Sequence, residues 1–267
     1  MREITAKEYK DIILDVLIRV DKICREHDLK YSLAYGSLLG AIRHSGFIPW
    51  DNDIDIIMPF EDYDKLAALI NSGIDKCINI IRIEEREDTC FPFGKVCNTR
   101  TRLMEGNITE LEGYGAYIDI FPMGYIPDDF KEGTKWKRYF LYQRLASYSK
   151  SNNFNKTRSL LKNIGRRVEL VAAHLVGTKR LVHKVCDDAR KFNTTKTNTI
   201  GILFDKPSYS ADLFDNQVEV LFEGHKFFGT KDPDDFLHKN YGDYMTPPPI
   251  ERQRFSHVLK CFFIDEE

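Results

Sequence analysis

No apolar run in the 267 residues approaches the ~20 that a membrane-spanning helix needs, so the sequence excludes an integral helical membrane protein. The first residues, Met1-Arg2-Glu3-Ile4-Thr5-Ala6-Lys7-Glu8, lack the apolar centre of a secretory leader, and a cytoplasmic chain is expected. Six cysteines (Cys24, Cys77, Cys90, Cys97, Cys186 and Cys261) contain no C-x-x-C pair, which speaks for reduced thiols over a disulfide frame or a zinc ribbon. A net charge of −2 offers no general attraction to nucleic acid. What is present is a 42% hydrophobic chain, long enough for one substantial core or two small domains.

The informative residues are acidic. Asp51, Asp53 and Asp55 alternate along Pro49-Trp50-Asp51-Asn52-Asp53-Ile54-Asp55-Ile56, and on an extended backbone alternate residues share a face. Two carboxylates ~4 Å apart repel by about 4 kcal/mol at an effective dielectric of ~20, so such a face calls for a cation. An EF-hand loop does not fit, because its sixth position here is Ile56 and its twelfth Asp62. Ile54, Ile56, Ile57 and Met58 instead read as a buried strand with charges at its edge. Upstream, Gly36-Ser37 forms a small-residue turn whose N–H groups could receive phosphate oxygens, with one short helix between the two segments. A further carboxylate, Asp119, interrupts the apolar strand Ala116-Tyr117-Ile118-Asp119-Ile120-Phe121, which Pro122 is expected to end. Residue type and spacing together point to a hard divalent ion, Mg²⁺ with Mn²⁺ as the alternative, facing a phosphate.

At these residues the chain resembles a known family. Gly36-Ser37, Asp53-x-Asp55 and the later strand aspartate are similar to the signature of the nucleotidyltransferase fold. The longer blocks Tyr35 to His44, Gly46 to Asp55 and Ile118 to Pro122 resemble the LicD family of bacterial phosphocholine transferases, with fukutin and fukutin-related protein as distant animal relatives. Tyr241-Gly242-Asp243-Tyr244-Met245, Pro247-Pro248 and His257 resemble that family's closing motif, so the likeness runs from about Tyr31 to His257. Asn52 stands where many relatives carry another aspartate. The resemblance implies an α/β (α+β) fold, a mixed sheet flanked by helices. It also implies transfer of phosphocholine or a related phospho-alcohol from CDP-choline or another CDP-alcohol to a sugar hydroxyl of a teichoic acid or glycan precursor, releasing CMP. Asp53, Asp55 and Asp119 would then be the catalytic, metal-holding acids. Gly36, Ser37, Arg43, His44 and Lys95 would serve the phosphates, and Trp50, Asp51, Tyr241, Asp243 and His257 are substrate-binding candidates. The fold also permits transfer of a nucleoside monophosphate from an NTP to a small molecule or protein.

Along the chain, Thr5-x-x-Glu8 reads as a capping box before an amphipathic helix carrying Tyr9, Ile12, Ile13, Val16, Leu17, Val20 and Cys24 and ending near His27. Strands are expected at 29–35, 54–58, 78–83, 93–96, 101–104 and across Asp119, with helices at 38–43, 61–70 and 234–241 and a turn at Glu223-Gly224. The predicted organisation is a catalytic core over 1–130, a basic helical insertion over 131–200, and a segment over 201–267 that completes the core. From Lys131 to Lys191, sixteen Lys or Arg face four Asp or Glu, a balance of +12 that leaves −14 for the rest of the chain. There Leu161, Ile164, Val168, Val171 and Leu175 recur at helical spacing among Arg158, Lys162, Arg166 and Arg167, and Asn152, Asn153 and Asn155 mark a loop. The simpler expectation is that the apolar stripe packs on the core and the basic side chains stay in water. The alternative is peripheral contact with the inner face of a membrane or with a polyanionic lipid-linked acceptor.

Overall fold

The computed structural model describes residues 1–86, 89, 91–104, 111–126, 141, 142, 144–146, 160–193, 195–202, 207–253 and 260–264. Cys90, Asn152, Asn153, Asn155, Arg158 and His257 lie outside the described residues. The chain divides into two compact units, one of Met1–Ile81, Phe93–Met123 and Tyr209–Glu267, the other of Arg82–Pro92 and Gly124–Ser208. The architecture is mixed α/β, as the sequence suggests.

In the first unit, β1 (Arg2–Glu3) leads into α1 (Ala6–Glu26). The Thr5 hydroxyl accepts from the Glu8 N–H at 3.3 Å and the Glu8 carboxylate accepts from the Thr5 N–H at 2.9 Å, so two otherwise orphaned donors are satisfied reciprocally. The helix buries Tyr9, Ile13, Val16, Leu17, Val20, Ile23 and Cys24, ends at His27, and packs over the sheet at β5. β2 is only Ser32–Leu33, shorter than expected, because α2 (Tyr35–His44) begins at once. Gly36 and Ser37 are therefore the first turn of a helix and not a free turn ahead of it. Tyr35 takes a left-handed φ of 45°, and its ring lies edge-on to Phe121 at 5.6 Å and tilted to Phe236 at 5.9 Å. These contacts hold the backbone in a conformation that a bulky side chain otherwise avoids.

The remaining strands of this unit are β3 (Asp55–Pro59), β4 (Ile78–Ile81), β5 (Gly94–Asn98), β6 (Thr101–Met104) and β7 (Tyr117–Tyr125, its last two residues counted in the second unit), with α3 (Phe60–Asn71) packed on β3 and β4. The central order is β2-β3-β7-β5-β4, with β3 and β7 parallel and the other pairs antiparallel. Contrary to expectation, Pro122 does not end β7. Asp119 donates its N–H to Ile54 on the β3 side, so the missing N–H of Pro122 would point to the opposite side, where pairing with β5 stops at Ile120. A proline is tolerated where no partner strand asks for its donor.

The second unit contains α4 (Leu160–Val176), α5 (Thr178–Phe192) and β8 (Thr199–Gly201), which pairs with Gly124 and Tyr125 at the end of β7. Its core gathers Ile83, Ala146, Ala173, Leu181, Val182 and Cys186. The apolar stripe of α4 does not pack inward as expected: Ile164, Val168, Val171 and Leu175 are 57–81% exposed, while Ala173 on the other side of the helix is fully buried. The side chain of Leu161 lies outside the described ones.

The C-terminal segment returns to the first unit. β9 (Ser208–Ser210) precedes a hairpin of β10 (Glu219–Phe222) and β11 (His225–Phe228), whose two-residue turn places Glu223 and Gly224 at positive φ. α6 (Pro233–Tyr241), capped by Asp232, packs against α2. β12 (Lys260–Phe263) pairs with β6 and β1 in a separate antiparallel sheet that the sequence did not suggest. Among the described cysteines, Cys24, Cys77, Cys97, Cys186 and Cys261 are free thiols.

Candidate functional site

Register brings the acids together. Asp55 on β3 pairs with Asp119 on β7, and Asp119 pairs in turn with Lys95 on β5. Side chains at one level of adjacent strands share a face, so a row of charge crosses the centre of the sheet. The Lys95 ammonium, only 3% exposed as a residue, lies 2.7 Å from an Asp119 oxygen and 3.5 Å from the centroid of the Tyr117 ring. One cation is thus buried among acids, with an aromatic face beneath it.

Ser37 links the helix to this row. Its hydroxyl accepts the Asp55 N–H at 2.8 Å, which fixes the start of β3 against the first turn of α2. Gly36 is required for space: a Cβ there would stand 2.6 Å from the Asp51 carboxylate. The N–H groups of the first helical turn have no intrahelical acceptors, so Gly36 and Ser37 present donors beside the acids.

The electrostatics show crowding. Burial raises the Asp51 carboxyl to about 7, helped by the charge of Asp53 and by a hydrogen bond between the two. Burial also raises Asp53, and raises Asp55 well above the carboxylate range with further contributions from Asp53, Asp119 and Asp51. Lys10 on α1, which the sequence reading missed, adds a cation facing Asp51, and burial lowers its pKa. Among the described residues no group of three or more His, Cys, Asp or Glu side chains forms a ready-made metal centre. The cluster nevertheless fits a hard divalent ion in chemistry: its donors are all carboxylate oxygens, and they outnumber the cations beside them.

Beside the acids opens a cleft of about 400 Å³. Gly36, Arg43, Trp50 and Asp51 line it from the first motif, and Tyr241, Asp243 and Tyr244 from the closing motif, about 200 residues later in the chain. The packing of α6 on α2 causes this meeting. The Tyr241 hydroxyl is pushed well above its ordinary range by burial and by Asp55, Asp51 and Asp53, which places it within the field of the acids. Arg43 donates from Nη1 to the Tyr244 carbonyl at 2.6 Å and from Nε to His44 Nε2 at 3.0 Å. His44, exposed, stands edge-on to Trp50 with ring centroids 6.3 Å apart. It is placed to support the wall of the cleft and is not among its lining residues. Asp243 accepts from the Thr246 hydroxyl at 2.7 Å, holding the turn before Pro247. Lys10 had no distinguishing sequence signal, being an ordinary helix lysine, whereas Tyr244 stood within the closing motif.

Comparison with known proteins agrees with this arrangement. The family model "LicD/FKTN/FKRP, nucleotidyltransferase domain" matches residues 28–163, about half of the chain, which includes every acid of the row but not the closing motif. The chain is 26% identical over 280 residues to the lipopolysaccharide cholinephosphotransferase LicD of Haemophilus influenzae, an alignment covering 99% of this chain and 100% of that protein. Over 49 residues it is 44% identical to an uncharacterized protein of Rickettsia prowazekii, covering 18% of each. A sheet that aligns Asp55 with Asp119 beside a glycine-serine helix start, and a family match spanning all of it, establish that the chain belongs to the LicD/FKTN/FKRP nucleotidyltransferase-domain family.

Proposed function

We propose that this protein is a metal-dependent transferase that moves phosphocholine, or a closely related phospho-alcohol, from a CDP-alcohol to a sugar hydroxyl of a cell-surface glycan or teichoic acid precursor, releasing CMP. The observation that carries the reading is the cleft in which Trp50, Tyr241 and Tyr244 stand next to the acid row. A cationic alcohol on a phosphate needs aromatic faces and carboxylates at one end and a charge-neutralising centre at the other, and the two are adjacent here. The name of the Haemophilus relative supports the same class of reaction.

Asp53, Asp55 and Asp119 would hold the ion, which when bound supplies positive charge to the phosphate oxygens. The N–H groups of Gly36 and Ser37 would donate to the same phosphate. Arg43, at the cleft wall, would face the leaving nucleotide, its guanidinium oriented by Tyr244 and His44. Asp119 is held by Lys95, so proton acceptance from the attacking hydroxyl falls better to Asp51, which lines the cleft beside the acid row. Positioning and electrostatics would account for most of the rate, since phosphoryl transfer asks little covalent chemistry of the protein.

A panel of CDP-choline, CDP-ethanolamine, CDP-glycerol and CDP-ribitol, each with Mg²⁺ and a glycan acceptor, tests this by CMP release. Choline as the preferred alcohol and loss of turnover in Asp53→Asn are the expected results. Pyrophosphate release from an NTP, with no CMP from any CDP-alcohol, would establish nucleotidyl transfer in its place.

A further inference from the structure

The second unit carries a helix whose apolar side faces outward. At 100° per residue, Ile164, Val168, Val171 and Leu175 of α4 fall within an arc of about 60°. They are 61%, 64%, 57% and 81% exposed. Away from that row Ala173 is buried, and Glu169 is tied by an ion pair to Arg144 at 2.6 Å. Four large aliphatic side chains in one row on water are unusual for an isolated soluble surface, and such a ridge marks a place that something covers.

Charge selects what covers it. Arg167 on α4 and Lys179 and Arg180 at the start of α5 are exposed, and residues 131–191 as a whole carry +12. A second copy of the chain docked through this face would bring the exposed cations of one copy, Arg167, Lys179 and Arg180, toward those of the other. Among the described residues the row itself is wholly aliphatic, without the aromatic side chains that protein partners favour as anchors. An aliphatic row with flanking cations instead matches the acyl and headgroup boundary of an anionic bilayer. No described helix is long and apolar enough to cross a membrane, so contact would be at the surface.

We propose that α4 lies in the interface of an anionic lipid membrane, with Ile164, Val168, Val171 and Leu175 at the acyl boundary and Arg167, Lys179 and Arg180 against the headgroup phosphates. The inference stands apart from the catalytic reading, because it concerns adhesion and is read without substrate.

The test is co-sedimentation of the full chain with vesicles of mixed phosphatidylglycerol and phosphatidylcholine, against vesicles of phosphatidylcholine alone. The parent is expected to pellet with the anionic vesicles, little with the neutral ones, and less as salt rises. Val168→Glu/Leu175→Glu and, separately, Arg167→Glu/Lys179→Glu/Arg180→Glu should each weaken anionic binding by at least about ten-fold. Circular dichroism checks that both variants keep the parent's helix content, and should one not fold, the other decides. Failure of the parent to bind anionic vesicles, or equal binding by a folded variant, would overturn the proposal. Light scattering without lipid gives a further decision: a dimer that Val168→Glu/Leu175→Glu dissolves would assign the ridge to self-association, whereas a monomer supports the membrane.

Discussion

Lys95 is the resident counterion of the acid row, and replacing it by methionine exposes how strained that row is. Methionine keeps much of the length and apolar stem of lysine, so the change removes charge with little change of volume. Asp119 would then face Asp55 across one strand spacing with no ammonium on its other side. At about 5 Å and an effective dielectric of ~20, two such charges repel by about 3 kcal/mol. Loss of one member of a buried ion pair costs about 3–5 kcal/mol by comparison, and the contact of the ammonium with the Tyr117 ring is lost as well. We therefore expect Lys95→Met to lose about 3–5 kcal/mol in urea unfolding at pH 8 with EDTA. The loss should shrink as pH falls, because acids whose pKa is raised on folding take up protons in the native state and are relieved by doing so. Mg²⁺ should restore stability to the variant by more than it adds to the parent. A ligand at 100 times its dissociation constant contributes about 2.7 kcal/mol, which sets the scale of recovery. A loss below about 1 kcal/mol in EDTA, or equal stabilisation of both proteins by Mg²⁺, would refute the idea that buried acids and a shared cation govern this site.

Asp51→Asn should flatten the pH dependence of stability in the metal-free protein. A carboxyl raised from 3.8 to about 7 makes the parent lose stability as pH climbs between those values, by at most about 4 kcal/mol, whereas an amide does not titrate. An unchanged slope in thermal melts between pH 4 and 8 would contradict the assignment. Trp50→Ala should raise KM for CDP-choline by about 2- to 30-fold with little change in kcat, the range of one cation–π contact, and should leave an uncharged CDP-alcohol nearly unaffected. Gly36→Ala should lower kcat/KM at least about ten-fold while the melting temperature stays close to the parent's, because the end of the Asp51 side chain can move away from the new methyl group but leaves its place in the cleft. Steady-state kinetics on folded protein checks both.

Much of the fold was legible because local rules and tertiary outcome agree. The Thr5 and Glu8 capping box, the apolar spacing of α1, the Glu223-Gly224 hairpin and the strand around Asp119 follow from side-chain and backbone preferences within a few residues. Expectation failed where distant partners overrode local preference. Pro122 continues β7 because β5 has already ended there, Gly36 and Ser37 fall inside α2 because Tyr35 is clamped between Phe121 and Phe236, and β12 finds β6 from across the chain. The outward stripe of α4 has the same origin: periodicity says that a helix has an apolar side but not which way it turns.

For the site, alternation along Asp51-Asn52-Asp53-Ile54-Asp55 and the isolated charge of Asp119 were enough to mark the acids, since a carboxylate in an apolar strand is too costly to stand without a purpose. Pairing between β3 and β7, however, brings Asp55 to Asp119, and α6 against α2 brings Tyr241 and Tyr244 to Trp50. Composition and spacing determined which groups could do chemistry. Register and helix packing decided which of them meet, because both depend on contacts between segments far apart in sequence, where no local pattern records the partner.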